Sequence, residues 1–328
     1  MNSISVKHLS KNYLIHKKTA GLLGTAKAMF SRSYETVKAV QDISFEIEEG
    51  EMLGFIGPNG AGKTTTLKCL SGLLYPTAGN LSVLDFKPFE RKHDFLRQIS
   101  LIMGQKNQLW WDLPAMDTFL LNKEIYGVSD ADFEETLSDL VTRLDVRDLV
   151  HTPVRKLSLG QRMKMEIIAA LIHSPKVLFL DEPTIGLDVV MQKAIREFLK
   201  EYNERYRATI ILTSHYMKDV EALCKRVLII NHGKLLYDGL LQSLIKKQAP
   251  YKFITVRLKT EVPSGKLAVF GQMKSYTFPE WVTAVPNERA GVVVADILKT
   301  FAVEDVSIEE PEIEDVISEI FAEGKGGE

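Results

Sequence analysis

Two short segments carry residues that could do phosphate chemistry. The run Gly57-Pro58-Asn59-Gly60-Ala61-Gly62-Lys63-Thr64 fits G-x-x-x-x-G-K-[ST]. Its glycines let the backbone curl until successive N–H groups converge on one phosphate, and a helix starting near Thr64 adds its positive end. Lys63 supplies a point charge to the β- and γ-phosphates, the Thr64 hydroxyl is placed to ligate Mg2+, and Thr65 completes the phosphate-binding set. The second segment, Lys176-Val177-Leu178-Phe179-Leu180-Asp181-Glu182, puts two carboxylates after four apolar residues. Asp181 at a strand tip can hold the magnesium shell opposite Thr64. Glu182 is left facing the space beyond the γ-phosphate, where a carboxylate can orient a water and accept its proton, so hydrolysis is the natural reaction. Alone, the first segment could be a glycine turn with a surface lysine and the second a solubilising pair of acids; together they describe a nucleotide site.

Elements of the right kind flank both segments. Met52–Ile56 is a continuous apolar strand running into the glycine turn, and Val177–Leu180 is another. Strands are also expected around Ile4, Val6 and Leu9, over Val37–Ile47, and at Thr209–Thr213 and Val227–Ile230. Phe133, Leu137, Leu140, Val141 and Leu144 recur at spacings of three and four, predicting an amphipathic helix within Asp130–Val150, and Met163–His173 continues helical until Ser174-Pro175. Alternating strands and helices imply an α/β fold with a mostly parallel sheet and ligands at the carboxyl ends of the strands; with the glycine loop, a P-loop NTPase core is expected, with a helical subdomain at about 106–165. After Pro250 the pattern changes. Phe253–Leu258, Leu267–Phe270 and Gly291–Ala295 read as short strands, and Pro311 precedes a helix bearing Ile313, Val316, Ile317, Ile320 and Phe321. The expected domains are 1–250, with an insertion at about 15–36, and a small α+β domain at 251–328.

Composition narrows the class. The 328 residues are 45% apolar and 26% charged, which excludes disorder and fibrous repeats, and the length suits two domains. Forty-one Lys and Arg against 43 Asp and Glu leave a formal charge of −2, so no bulk basic field exists to hold a polyanion and no nucleic acid is expected. Cys69 and Cys224 lack metal or disulfide spacing. No apolar run approaches the roughly 18–20 residues that cross a bilayer, and the amino terminus does not read as a secretory signal, so a cytoplasmic chain is expected.

A third segment, Leu157-Ser158-Leu159-Gly160-Gln161, stands just before a helix and ahead of the Asp181 strand. With it the chain resembles the ATP-binding subunits of ABC transporters, whose signature is usually Leu-Ser-Gly-Gly-Gln; here Leu159 takes the third position. The resemblance covers about residues 1–245. It implies ATP and Mg2+ as cofactors, with Thr64, Gln105 and Asp181 around the metal and Glu182, His215 and Gln105 as catalytic residues. It further implies that Ser158, Gly160 and Gln161 contact a nucleotide, that Asp188 in Gly186-Leu187-Asp188 lies in a dimer-contact loop, and that Tyr13, with Tyr34 as competitor, stacks on adenine.

In that family the signature loop of one subunit closes on the ATP of another, so the resemblance implies a dimer, most simply a homodimer, with two sandwiched nucleotides. Separate integral membrane permeases are implied as partners, placing the chain on the cytoplasmic face of the membrane. The segment Lys106-Asn107-Gln108-Leu109-Trp110-Trp111-Asp112 is where the family docks its permease, though two adjacent tryptophans suit a lobe core equally. The insertion, Gln105 before the Trp pair, the leucine signature and Glu182–Asp188 together resemble ATPases of type-II exporters similar to the daunorubicin and viologen exporters. Ala20–Arg32, apolar with basic flanks, suits either a helix on the membrane or permease, or a surface excursion. Relatives acting on ribosomes or DNA are the alternative class, disfavoured by a single ATPase unit and no heptad array. A P-loop kinase is disfavoured because Glu182 and His215 serve water attack. The tail beyond 251 resembles the small domain many exporter ATPases append, a dimer-stabilising or regulatory element.

Overall fold

The computed structural model describes residues 2–16, 34–104 and 107–323. By their contacts these form two compact units, divided between Gly239 and Leu240. The division falls about ten residues before the composition change at Pro250, because a helix over Leu241–Gln248 packs against the last helix of the second unit.

In the first unit, β1 (Asn2–His16) and β2 (Tyr34–Glu48) pair antiparallel, and β4 (Ala78–Val83) lies on the other side of β1. Ile15 and His16, and Tyr34 to Thr36, are therefore strand rather than insertion. Residues 17–33, with the Ala20–Arg32 segment, lie outside the described residues. A second sheet runs β5 (Ile99–Met103), β6 (Val177–Asp181), β7 (Thr209–Thr213), β3 (Met52–Ile56), β8 (Arg226–Asn231) and β9 (Lys234–Leu240), with the first five strands parallel. Every residue of β3, β6 and β7 is buried, as strands covered on both faces must be. Non-consecutive neighbours in this order bring the carboxyl ends of β3, β6 and β7 together, although β3 is more than a hundred residues from the other two in the chain.

Helices α1 (Lys63–Leu70), α5 (Val189–Tyr206) and α6 (Met217–Leu223) accompany the sheet. The helical lobe holds α2 (Ala115–Tyr126) and α3 (Asp130–Arg143), against which α4 (Leu159–Leu171) packs. Helix α3 begins at Ser129, whose hydroxyl accepts the Asp132 N–H at 3.1 Å. It stops at Arg143 rather than Val150, because Asp145 turns into the left-handed region with φ 52°.

The second unit orders β11 (Gln272–Thr277), β12 (Glu280–Pro286), β10 (Tyr251–Leu258) and β13 (Val303–Glu309) into an antiparallel sheet, with α7 (Leu241–Gln248), α8 (Ala290–Thr300) and α9 (Ile313–Glu323). Two expected strands are corrected. Gly291–Ala295 lies inside α8: its valines favour strand locally, but Ala290, Val293 and Ile297 share one helical face buried with Trp281, and that burial outweighs propensity. Leu267–Phe270 is helical turn, entered after Pro263 and anchored by buried Leu267; the strand follows at Gln272.

Candidate active site

Strand β3 delivers the chain into the glycine loop, and α1 starts at Lys63. Gly62 has φ 110°, and a Cβ there would stand 2.5 Å from the Ala39 carbonyl oxygen of β2, so only glycine fits between loop and strand. The Lys63 ammonium, only 5% exposed, donates to the carbonyl oxygens of Gly57 and Pro58 and so braces the loop from within. Burial lowers the Lys63 pKa, while the carboxylates of Glu182 and Asp181 oppose that shift.

The Thr64 hydroxyl donates to Asp181 Oδ2 at 2.8 Å, so the two expected metal ligands are brought together from residues 117 apart. Asp181 Oδ1 accepts a second hydroxyl, that of Thr213, at 2.7 Å. Sequence alone does not mark Thr213 as a site residue; its one signal is that it ends an apolar strand just before Ser214 and His215. Register makes the contact, since Asp181 pairs with Thr213 across β6 and β7. On the other side Met103 pairs with Asp181, and the Gly104 N–H donates to the Asp181 carbonyl at 2.8 Å. Gln105, next in the chain, lies outside the described residues.

Glu182 adopts φ 57°, a sparsely populated conformation for a side chain of this size. Its N–H is caught by the Thr213 carbonyl and hydroxyl oxygens, both at 3.1 Å. The turn swings the Glu182 carboxylate to 2.6 Å from His215 Nε2, with the Glu182 side chain 11% and the His215 side chain 36% exposed. Thr64, Asp181, Glu182 and His215 thus gather at the carboxyl ends of three neighbouring strands.

The other expected residues fall into two further places. Ser158 is the N-cap of α4 in a capping box: its Oγ accepts the Gln161 N–H at 3.2 Å, and Gln161 Oε1 accepts the Ser158 N–H at 2.9 Å. A Cβ on buried Gly160 would meet Met191 Cγ at 2.7 Å, and the Met191 N–H is held by Asp188, the N-cap of α5. The signature loop and the Asp188 loop of one chain are therefore packed together, with Leu159 beside Gly186 and 40% exposed. Tyr13 is half-buried on β1 opposite Val37, two residues before the Ala39 that abuts Gly62, with the Lys11 ammonium 5.3 Å from its ring centroid. Tyr34 is five positions from Ala39 along the same strand, about 16 Å at strand rise, so register favours Tyr13 for a role beside the loop.

In the lobe, Trp110 and Trp111 are 56% and 48% exposed, so neither fills a core. The Arg162 guanidinium lies 4.9 Å from the Trp111 ring. Glu166, one turn along α4, is 4% exposed; burial pushes its carboxyl up to about 7, although the Gln108 backbone N–H and the Arg162 charge pull it down. Because the folded pKa lies above the unfolded one, this group favours the fold most at pH below about 4.5 and loses that contribution as pH rises towards 7. Glu166→Gln should therefore melt higher than the parent at pH 8, by roughly 2–3 kcal/mol of stability, and close to it at pH 5; paired melting curves check this.

Among the described residues no helix is long and apolar enough to cross a membrane. A groove of about 500 Å3 lies between the sheet and the lobe, lined by Leu73, Leu96, Leu101, Ile125, Tyr126 and His173 among others.

A strand, glycine loop and helix closing on a strand-end Asp-Glu pair define a P-loop ATPase, and sequence comparison places it further. Residues 40–185 match the family described as "ABC transporter", and 250–309 match "EvrA-like ABC transporter, C-terminal domain". The chain is 35% identical over 219 residues to the ABC transporter ATP-binding protein NatA of Bacillus subtilis, covering 67% of this chain and 89% of that one. It is 28% identical over 314 residues to the cholesterol transporter ABCA5 of Mus musculus, covering 90% of this chain but spanning only 19% of that one. A solved ATP-binding subunit of an ABC transporter superposes with TM-score 0.62 at 26% identity, covering 75% of this chain and 92% of that one. The chain belongs to the family of ABC transporter ATP-binding proteins, and its reaction is ATP hydrolysis. Subunits of this family pair with one another and with membrane permeases.

Proposed function

We propose that two copies of this chain close around two MgATP and drive separate permease subunits in export. The observation that carries this reading is the strand-end cluster, in which Thr64 meets Asp181 and Glu182 meets His215. A hydroxyl and a carboxylate oxygen 2.8 Å apart suit Mg2+, a hard cation with oxygen ligands, and the reading adds Gln105 to them. Bound there, the ion neutralises charge on the β- and γ-phosphates. Backbone N–H groups of the loop, among them those of Asn59, Gly60, Ala61, Gly62, Thr64 and Thr65, cradle the phosphates, with Gly57 and Pro58 shaping the turn, Lys63 adding charge and Tyr13 facing the adenine. Glu182 accepts the proton of the attacking water and His215 contacts the γ-phosphate. Ser158, Gly160 and Gln161 of the second copy complete the site, with Asp188 at the contact between copies. ATP then bridges two chains and hydrolysis removes the bridge.

The exposed Trp pair and the groove lined in part by Gln108 and Ile125 suit a permease helix, and the sequence features shared with type-II exporters support export. The second unit, whose sheet has β11 and β13 as its outer strands among the described residues, is assigned to dimer stabilisation or regulation. Purifying the tagged chain from solubilised membranes tests the partner class: integral membrane proteins in stoichiometric yield are expected, whereas ribosomes or nucleic acid would favour the other class of relatives.

A further inference from the structure

Asp219 on α6 is wholly buried, and its carboxylate is used entirely within the protein. Its Oδ2 accepts two hydroxyls: that of Thr184, two residues beyond Glu182, and that of Ser214, immediately before His215, the latter at 2.9 Å. Its Oδ1 accepts Arg196 Nη1 at 2.7 Å, and Arg196 lies on α5, the helix capped by Asp188. Ser214 Oγ also accepts the Tyr216 N–H at 3.0 Å, so the backbone on both sides of His215 is bound to one hydroxyl, which is itself bound to Asp219.

We propose that Asp219 is a positioning residue for hydrolysis: a single carboxylate oxygen ties the segment of Glu182 to the segment of His215, and Arg196 anchors that tie to α5. The two segments leave adjacent strands. The backbone bonds between β6 and β7 end at Glu182 and Thr213, so beyond them the side chains of Thr184, Ser214 and Asp219 supply a further tie. A buried carboxylate is retained in such a place only when an ion pair and hydrogen bonds satisfy it, and here all three contacts converge on the machinery of one reaction. The Asp219 carboxylate is bonded to Thr184, Ser214 and Arg196, whereas the side-chain bonds of Lys63, Thr64 and Asp181 go elsewhere, so nucleotide binding and hydrolysis should separate when it is changed.

The proposal rests on reading Glu182 and His215 as the hydrolytic pair. Its test uses the full chain with Thr184→Val, Ser214→Ala and Asp219→Asn, measuring kcat, Kd for a fluorescent ATP analogue, and Tm. Each hydroxyl variant should lower kcat by about tenfold and Asp219→Asn by more, with Kd changed by less than about threefold and Tm lowered by a few degrees in the hydroxyl variants, which stay folded at the assay temperature. Should Asp219→Asn not fold, the two hydroxyl variants decide alone. Activity within about twofold of the parent in both overturns the proposal, as does a parallel loss of kcat and ATP affinity. Full hydrolysis by Glu182→Gln would instead overturn the underlying site reading, so the two failures are distinguishable.

Discussion

Glu182→Gln should keep ATP binding near the parent level and lower turnover by about two to three orders of magnitude, the range a general base contributes. The amide keeps the side-chain shape and one acceptor oxygen but cannot take a proton from water. The backbone that presents it should persist, because the φ of 57° is held by Thr213 through two bonds to the main-chain N–H, which the substitution leaves untouched. The contact with His215 also changes character, since an amide meets the ring where a carboxylate stood 2.6 Å away. With hydrolysis blocked and binding intact, ATP stays as the bridge between two chains, and size-exclusion chromatography in saturating MgATP should show a stable dimer. A monomer under those conditions would sink the sandwiched arrangement.

Lys63→Ala acts one step earlier, on nucleotide affinity itself. The ammonium braces the loop through the Gly57 and Pro58 carbonyls in the free chain, and in the proposed complex it would face the phosphates. Burial disfavours its charge while the carboxylates of Glu182 and Asp181 favour it, and phosphates would add to the favourable side, so the charge is worth most in the complex. Two lost charge-assisted bonds correspond to a fall in ATP affinity of about a hundredfold, read by fluorescence titration. The fold itself should survive, because β3 and the core beneath the loop do not involve the ammonium. Retention of affinity within about threefold would remove Lys63 from the phosphate site.

The parts of this protein legible in its sequence are those where chemistry and period coincide. The glycine loop announces itself because few residue types allow that backbone, and the Asp181 strand because four buried residues end abruptly in two acids. The second unit was harder to read, since short elements such as Gly291–Ala295 carry a strand-like composition whose fate depends on Trp281 and Val285 in other elements. Leu159 likewise reads as a departure from a motif until it is seen lying beside Gly186.

What residue order determined by itself is the inventory: a phosphate loop, a metal-side carboxylate, a base, a signature loop and the sequence of strands and helices that bears them. What only the tertiary structure decided is which of these meet. Thr64 reaches Asp181 because β3 and β6 flank β7 in one sheet, Thr213 bonds to Asp181 because those strands pair in that register, and Asp219 joins Thr184 to Ser214 because α6 returns beneath both loops. Thr64 and Asp181, 117 apart in sequence, and Asp181 and Thr213, 32 apart, carry no local signal of such contacts, since the energy that sets strand order and register comes from burial of whole strands and not from the polar groups at their ends.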